Sequence, residues 1–307
     1  MNKFYMLAGL PDSGKSYLAE RLAEKGAVWI SSDAVRKELY GSESVQGNTE
    51  DIFGTMKSRT IKALRAGQDV VYDACNINSK KRTAFLNDIR KLPCWKVCVI
   101  CAVPYEMCLK RNTERDRHVP AYAIIRMYKS WHTPAYYEGW DEIRISYAEG
   151  ARGCAGTPEE YVQGLMDYPQ ETPYHQETLG IHMQDVRDRL VSEGVCGADS
   201  NLAAAALIHD CGKPFTKTFS DKKGGKSDAA HFYGHENTGA YDSLFFRIPG
   251  KDAGDMLEIS ILVMLHMRPF SWRDEEKNDK QKALWGGSLY EKVLALHRAD
   301  KASAVKG

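Results

Sequence analysis

No stretch of the 307 residues approaches the roughly 20 consecutive apolar side chains that a membrane-spanning helix needs, so no membrane anchor is expected. The eight cysteines are scattered, with no CxxC…CxxC arrangement, which argues against a zinc ribbon or a disulfide framework. Cys98 and Cys101 lie in the apolar run CVIC and read as buried free thiols. A cleaved leader is not expected either, because MNKFYMLAGL passes directly into a glycine-rich loop. These absences point to the reducing cytoplasm. Internal repeats and low-complexity tracts are also missing. Net charge is only +1, but it is unevenly spread. Residues 1–150 carry 23 Lys/Arg against 18 Asp/Glu, and residues 151–307 carry 19 against 23. A mildly basic first half suits a polyanionic partner, and an acidic second half suits cations.

In the first half, strand-like apolar runs (FYMLAGL, AVWIS, DVVYDA, KVCVICAV) alternate with helical stretches. That alternation predicts a doubly wound parallel α/β sheet over residues 1–150. Gly and Pro punctuate residues 151–170, which read as a linker or boundary. Residues 171–307 show helical patterns without strand alternation, so an all-α domain is expected there. Within it, KTFSDKKGGKSDAAHFYG reads as a polar surface loop.

Gly9-Leu-Pro-Asp-Ser-Gly14-Lys15-Ser16 follows an apolar run and precedes a helical pattern, the setting a phosphate-binding loop requires. Gly9, Asp12, Ser13, Gly14, Lys15 and Ser16 are the expected nucleotide contacts. Lys15 can reach the transferable phosphoryl group, and the Ser16 hydroxyl can ligate Mg²⁺. A kinase acting on an alcohol also needs a carboxylate to take the hydroxyl proton. Asp33, just after a strand, is the candidate, although it can equally cap the helix AVRKELY. Arg36 is placed to hold an anionic group of the acceptor, and Asp73 and Asn76 end the next strand near Mg²⁺ or the acceptor. Lys80, Lys81 and Arg82 read as an exposed helix start. Arg111 and Arg115, four apart, share a helix face, and Arg117, Arg126 and Lys129 extend the positive charge. Such arginines suit a lid that stabilises a transferring phosphoryl group.

GLPDSGKS, SSDAVR, DACNIN, KRNTERD and VPAYAIIRMY, in that order, resemble the 5′-hydroxyl polynucleotide kinase domain of phage-type end-healing enzymes. The resemblance covers about residues 1–147. It implies that Lys15 and Ser16 serve ATP and Mg²⁺, that Asp33 is the general base, that Arg36 meets the acceptor's phosphate and that Arg111 and Arg115 form the lid. Ala74-Cys75 stands where that family often has Thr.

In the second half, His209 and Asp210 are adjacent in LIHDCGKP, with His182 upstream and His235, His266 and Asp300 downstream, each at or within a helical pattern. Imidazole and carboxylate donors converging inside a bundle suit Mn, Co, Ni, Fe or Zn. Lys213 can contact a phosphate or neutralise a helix end, and His175 is placed to touch substrate if it shares the face of His182. His231 and His297 receive no assignment. The H…HD…D constellation is similar to the HD phosphohydrolase superfamily, closest to the HD domains found with tRNA nucleotidyltransferases, over roughly residues 171–307. That resemblance implies a first metal on His182, His209, Asp210 and Asp300, and a second on His235 and His266 with Asp210 bridging.

The combination predicts a bifunctional end-healing enzyme: an ATP-dependent (or other NTP-dependent) 5′-hydroxyl kinase joined to a metal-dependent phosphohydrolase for 2′,3′-cyclic, 2′- or 3′-phosphates. Its partners would be RNA or DNA termini and an RNA ligase. Kinase–HD pairings of this kind are known in the reverse domain order. Two alternatives remain open from sequence: a nucleoside or small-metabolite kinase fused to an HD nucleotidase, and a kinase regulated by a non-catalytic HD sensor module.

Overall fold

The computed structural model describes residues 1–45, 47–115, 117–272 and 275–304. The chain divides into two compact units, one formed by Met1–Met127 with Pro134–Ala151, the other by Tyr128–Thr133 with the chain from Arg152 onward.

The first unit runs β1 (Asn2–Ala8), α1 (Lys15–Ala23), β2 (Val28–Ser31), α2 (Ser32–Tyr40), α3 (Thr49–Arg65), β3 (Val70–Asp73), α4 (Ser79–Asp88), β4 (Cys94–Ala102), α5 (Tyr105–Thr113), α6 (Ala121–Lys129, its last residues counted with the second unit) and β5 (Glu142–Tyr147). All five strands are parallel, in the order β2-β3-β1-β4-β5. Central strands β1, β3 and β4 are covered on both faces, which is why they read as nearly continuous apolar runs. Strand β5 was not expected from the sequence. It lies at the edge, half-buried at best, and its EIRISY string carries two charges. Register places Leu7 beside both Asp73 and Val99, and Ser31 beside Asp73. The loops after β1, β2 and β3 therefore open on the same carboxyl edge, where α/β sheets collect ligands.

Arg82 corrects an expectation. It is buried, not an exposed helix start: its guanidinium donates to both carboxylate oxygens of Glu138 (2.8 and 2.6 Å) and to the Asn76 carbonyl (2.8 Å). Trp140 Nε1 donates to Glu138 as well, at 3.0 Å. The partners sit 56 residues apart in sequence, so no local pattern announces them.

The second unit contains α7 (Pro158–Gln163), α8 (Leu179–Ser192), α9 (Asn201–Ile208), α10 (Lys213–Thr216), β6 (Thr218–Ser220), β7 (Lys226–His231), α11 (His235–Asp242), α12 (Ala253–Leu265), α13 (Glu275–Trp285) and α14 (Gly287–Ser303). Helices α9 and α12 are apolar nearly all round and form the interior. Three differences from the sequence reading appear. Residues 151–170 are not an open linker: α7 starts at a Thr157/Glu160 capping box, buries Val162, and Tyr161 donates to the Cys211 carbonyl at 2.7 Å. The polar insertion is not irregular: it folds as an antiparallel hairpin of β6 and β7, so the unit is helical but not purely so. Tyr128–Thr133 belongs here too, with Tyr128 donating to Asp242 (2.5 Å), Trp131 edge-on to Tyr241 (5.0 Å) and Thr133 paired with Ser260 (2.7 Å). Lys129 lies in that segment, its ammonium 5.6 Å from the Phe215 ring centre.

Removing one partner of a buried ion pair leaves the other desolvated and unmatched. Glu138→Ala is therefore expected to lower the unfolding free energy by about 3–5 kcal/mol in urea denaturation. A loss below about 1 kcal/mol would contradict a structural role for the pair.

Candidate functional sites

The first site sits where the carboxyl ends of β1, β2 and β3 meet. Gly14 adopts φ 80° as the residue before α1, and Asp12 adopts φ 63°, a left-handed conformation uncommon outside glycine. Lys15 is buried and folds back on its own loop, donating to the Leu10 carbonyl at 2.5 Å. Burial opposes its charge, but acidic neighbours, the Asp73 carboxylate among them, outweigh that, and its pKa is raised. Ser16 donates to Asp73 Oδ2 at 3.0 Å, which links the expected Mg²⁺ hydroxyl to the strand-end carboxylate. Burial pushes Asp73 up, with Lys15, Ser16 and Trp29 pulling against it. Trp29, whose Nε1 donates to Asp73 at 3.2 Å, was missed from sequence, where it looked like any strand aromatic.

Asp33 does not cap α2. Ser31 does, accepting from the backbone N–H groups of Asp33 and Ala34. The Asp33 carboxylate is left half-exposed between two guanidiniums, Arg36 at 2.5 Å and Arg117 at 3.1 Å. Arg36 thus faces Asp33 directly. The Asn76 amide is engaged with the Leu7 and Ala74 carbonyls (2.7 and 3.1 Å), and its φ of 46° turns the chain out of β3. Arg111 and Arg115 do not share one helix face, because α5 ends at Thr113. Both nevertheless reach Asp12: Arg111 donates to its carbonyl at 3.4 Å, and Arg115 pairs with its carboxylate. Arg126 is exposed on α6. The Asp12 side chain is only 2% exposed, and Oδ2 has no hydrogen-bond partner among the described residues.

The second site is built by five helices or helix ends. His182 comes from α8, His209 and Asp210 follow α9, His235 opens α11, His266 follows α12 and Asp300 lies on α14. All six are buried, and they form two groups whose ligand atoms lie within 4.8 Å of one another: His182, His209 and Asp300; then Asp210, His235 and His266. Asp210 faces both. Its Oδ1 is 3.2 Å from His235 Nε2 and 3.7 Å from His266 Nε2, and its Oδ2 is 3.3 Å from His209 Nε2 and 3.5 Å from His182 Nε2. Gly212 allows this closure: a Cβ there would lie 2.2 Å from the His235 carbonyl oxygen.

Tautomers are set by backbone carbonyls, which only accept. Nδ1 of His209, His235 and His266 lies 2.7, 2.8 and 2.6 Å from the carbonyls of Ala206, Phe232 and Val263. Each neutral ring therefore carries its hydrogen on Nδ1 and turns a lone pair inward at Nε2. The Nε2 atoms of His235 and His266 face each other at 3.2 Å, an arrangement in which two neutral rings have no hydrogen to share. His182 Nε2 and His209 Nε2 have no hydrogen-bond partner of acceptable geometry among the described residues. This donor set fits one or two divalent transition metals. Burial raises Asp210, but the Lys213 ammonium beside it overcomes that and holds the carboxyl well below its usual range. Burial likewise opposes ionisation of Asp300, and His182 reverses it, so its pKa is lowered.

Lys213 Nζ lies 2.6 Å from Asp210 Oδ2 and donates to Gln170 Oε1 at 2.7 Å. Gln170, buried and also missed from sequence, sits in the segment that had read as linker. His175 shares no helix with His182, since α8 begins at Leu179, yet its ring packs edge-on to His182 at 4.5 Å. Burial pushes its pKa down to about 3, which keeps the ring neutral. His297 packs edge-on against Phe270 and belongs to neither ligand group.

Residues 5–134 match the family model described as AAA domain, and residues 178–305 match the HD domain model. A curated relative is L-seryl-tRNA(Sec) kinase of Methanococcus maripaludis, 28% identical over 144 residues, covering 44% of this chain and 55% of that protein. The chain thus spans about half the length of the curated relative it matches. Solved structures with a similar part include the Pnkp1/Rnl/Hen1 RNA repair complex (20% identity, TM-score 0.38, 42% of this chain and 43% of that one). A putative kinase from Chloroflexus aurantiacus (15%, TM-score 0.40) covers 48% of this chain and 85% of its own. A gluconokinase from Sinorhizobium meliloti (18%, TM-score 0.35) covers 47% and 82%. No helix among the described residues is long and apolar enough to cross a membrane.

A carboxylate inside an anion-binding loop repels phosphate unless a cation accompanies it. Asp12→Gly removes that charge and relieves the left-handed strain, so ATP is expected to bind about five-fold more tightly in calorimetry, on the order of 1 kcal/mol. Turnover of the same variant falls, because Arg115 loses its anchor. Weaker ATP binding by Asp12→Gly would contradict this account of the loop.

Proposed function

From a chain that joins a kinase-like AAA domain to an HD domain, we propose an enzyme that heals broken RNA ends, phosphorylating a 5′-hydroxyl with ATP and releasing a terminal 2′,3′-cyclic, 2′- or 3′-phosphate. The observation that carries the second activity is the inward-facing imidazole lone pairs arranged around Asp210. The first activity rests on a phosphate loop whose neighbouring strands deliver Asp33 and Asp73 to the same sheet edge. A hydroxyl borne on RNA is consistent with the curated relative, whose name gives an aminoacylated tRNA as its substrate.

In the kinase unit, the loop amides and Lys15 hold the ATP phosphates, and Lys15 exchanges the Leu10 carbonyl for a phosphate oxygen. Asp33 accepts the hydroxyl proton as that oxygen attacks the γ-phosphorus and ADP leaves, and Arg36 and Arg117 orient its carboxylate. Arg111 and Arg115 face the charge that develops on the transferring group. Ser16 and Asp73, joined by a hydrogen bond of 3.0 Å, would hold the Mg²⁺ that accompanies ATP.

In the HD unit, His182, His209 and Asp300 would hold one metal and His235 and His266 another, with Asp210 between them. Bound divalent cations supply a hydroxide nucleophile at neutral pH and polarise the phosphoryl oxygens. Lys213, held by Gln170 and Asp210, would meet the ester phosphate, and neutral His175 packs against the His182 ring.

An RNA oligonucleotide bearing a 5′-hydroxyl and a 2′,3′-cyclic phosphate, incubated with ATP, Mg²⁺ and Mn²⁺, reports both ends at once. Asp33→Asn is expected to cut 5′ phosphorylation about a hundred-fold or more while leaving phosphate release intact. Asp210→Asn does the reverse. Loss of both activities in either variant would contradict separate sites, and equal phosphorylation of free nucleosides and oligonucleotides would favour a small-molecule kinase.

A further inference from the structure

The β6–β7 hairpin is a positive island in an acidic unit. Residues 218–231 carry three lysines against two aspartates, with Lys217 at their foot paired to Glu171, while the remainder of residues 151–307 carries 16 Lys/Arg against 21 Asp/Glu. Its turn is built to present charge. The Asp221 carboxylate is spent on the backbone, accepting from the N–H groups of Lys223 and Gly225 at 2.8 Å each, and Gly224 takes the left-handed φ of 86° that closes the turn. Lys222, Lys223 and Lys226 are left exposed around it, with Asp228 the outward acid of β7.

Aromatic rings interleave with these cations. His231 and Tyr233 stack nearly parallel, 5.2 Å apart at 10°, and the Lys222 ammonium lies 5.6 Å from the Tyr233 ring centre. Phe219, 45% exposed on β6, lies 5.9 Å from the Lys217 ammonium. The stretch then leads directly to the buried cluster. Phe232 carries the Lys213 ammonium 5.3 Å over its ring and holds His235 through its carbonyl, and His235 faces Asp210. Flat rings alternating with lysines form the usual platform for unpaired bases and their phosphates. Base pairs inside a duplex are stacked on both faces and offer none to such rings.

We infer that this hairpin is a binding surface for single-stranded nucleic acid, which carries the strand behind a terminal phosphate toward the His/Asp cluster. The inference rests on the proposed phosphate-releasing reading of that cluster. Phosphates run along Lys222, Lys223 and Lys226, and bases stack at His231 and Tyr233.

The test is binding rather than turnover, so it can be told apart from failure of the enzymatic reading. A fluorescent single-stranded RNA of about 20 nucleotides with a 3′-phosphate is titrated into the full-length chain at several salt concentrations. The triple variant Lys222→Glu/Lys223→Glu/Lys226→Glu changes only exposed side chains, so its melting temperature is retained. It is expected to bind at least about ten-fold more weakly at physiological salt, with the slope of log K against log salt reduced by about 2. Tyr233→Leu weakens binding without changing that slope, because it removes stacking and not charge. Wild-type affinity and slope in both variants would overturn the inference, as would polyglutamate binding the wild-type chain as tightly as the RNA does. Absent phosphate release with the expected binding losses would reject the enzymatic reading alone.

Discussion

Two imidazole nitrogens that both present lone pairs, 3.2 Å apart in a helical interior, set the constraint on which the second unit depends. The carbonyls of Phe232 and Val263 take the Nδ1 hydrogens, so neither ring can turn its tautomer to satisfy the other. Without a cation between them the facing atoms repel, and burial removes the water that would otherwise screen them. Asp210 compounds this, because each of its oxygens faces a different group of rings. A fold that tolerates six such buried groups at the ends of five separate helices is arranged around something positive. Lys213 supplies part of that charge at Asp210 and nothing at the imidazoles.

The phosphate loop obeys a related rule with opposite sign. It is an anion cradle, and its own groups complete the pairing. Lys15 donates to the Leu10 carbonyl, and Arg115 closes on Asp12. Asp12 thus occupies the electrostatic place of a phosphate, at the cost of a left-handed backbone. The loop's cations are thus held by local partners, the Leu10 carbonyl and Asp12, which a bound phosphate has to displace.

Much of this was legible in the chain because the decisive patterns are short. GLPDSGKS is contiguous, Asp33 follows its strand by two residues, Asp73 closes its own, and His209-Asp210 are neighbours on a helix end whose apolar run is plain. What escaped depends on partners distant in sequence. Arg82 looked exposed because Glu138 is 56 residues away, and Gln170 looked like linker because Lys213 is 43 residues away. The hairpin hid because β6 has three residues and β7 alternates polar with small side chains, too little for a two-residue period to stand out. Tyr128–Thr133 reads as continuous with α6, and only its contacts with Tyr241, Asp242 and Ser260 assign it to the second unit. His175 was grouped with His182 through a shared helix that does not exist, but it reaches the same ring from a loop.

Metal binding tests the central claim most directly. Chain stripped of metal is titrated with Co²⁺, followed by calorimetry and visible absorption, and its thermal stability is measured with and without saturating Co²⁺. The account predicts saturable uptake of one or two ions with the spectrum of nitrogen and oxygen ligation, and stabilisation of about 2.7 kcal/mol at a hundred-fold excess over Kd. A chain that takes up no Co²⁺, Mn²⁺, Ni²⁺, Fe²⁺ or Zn²⁺ at the cluster, and whose stability is indifferent to all of them, would contradict it.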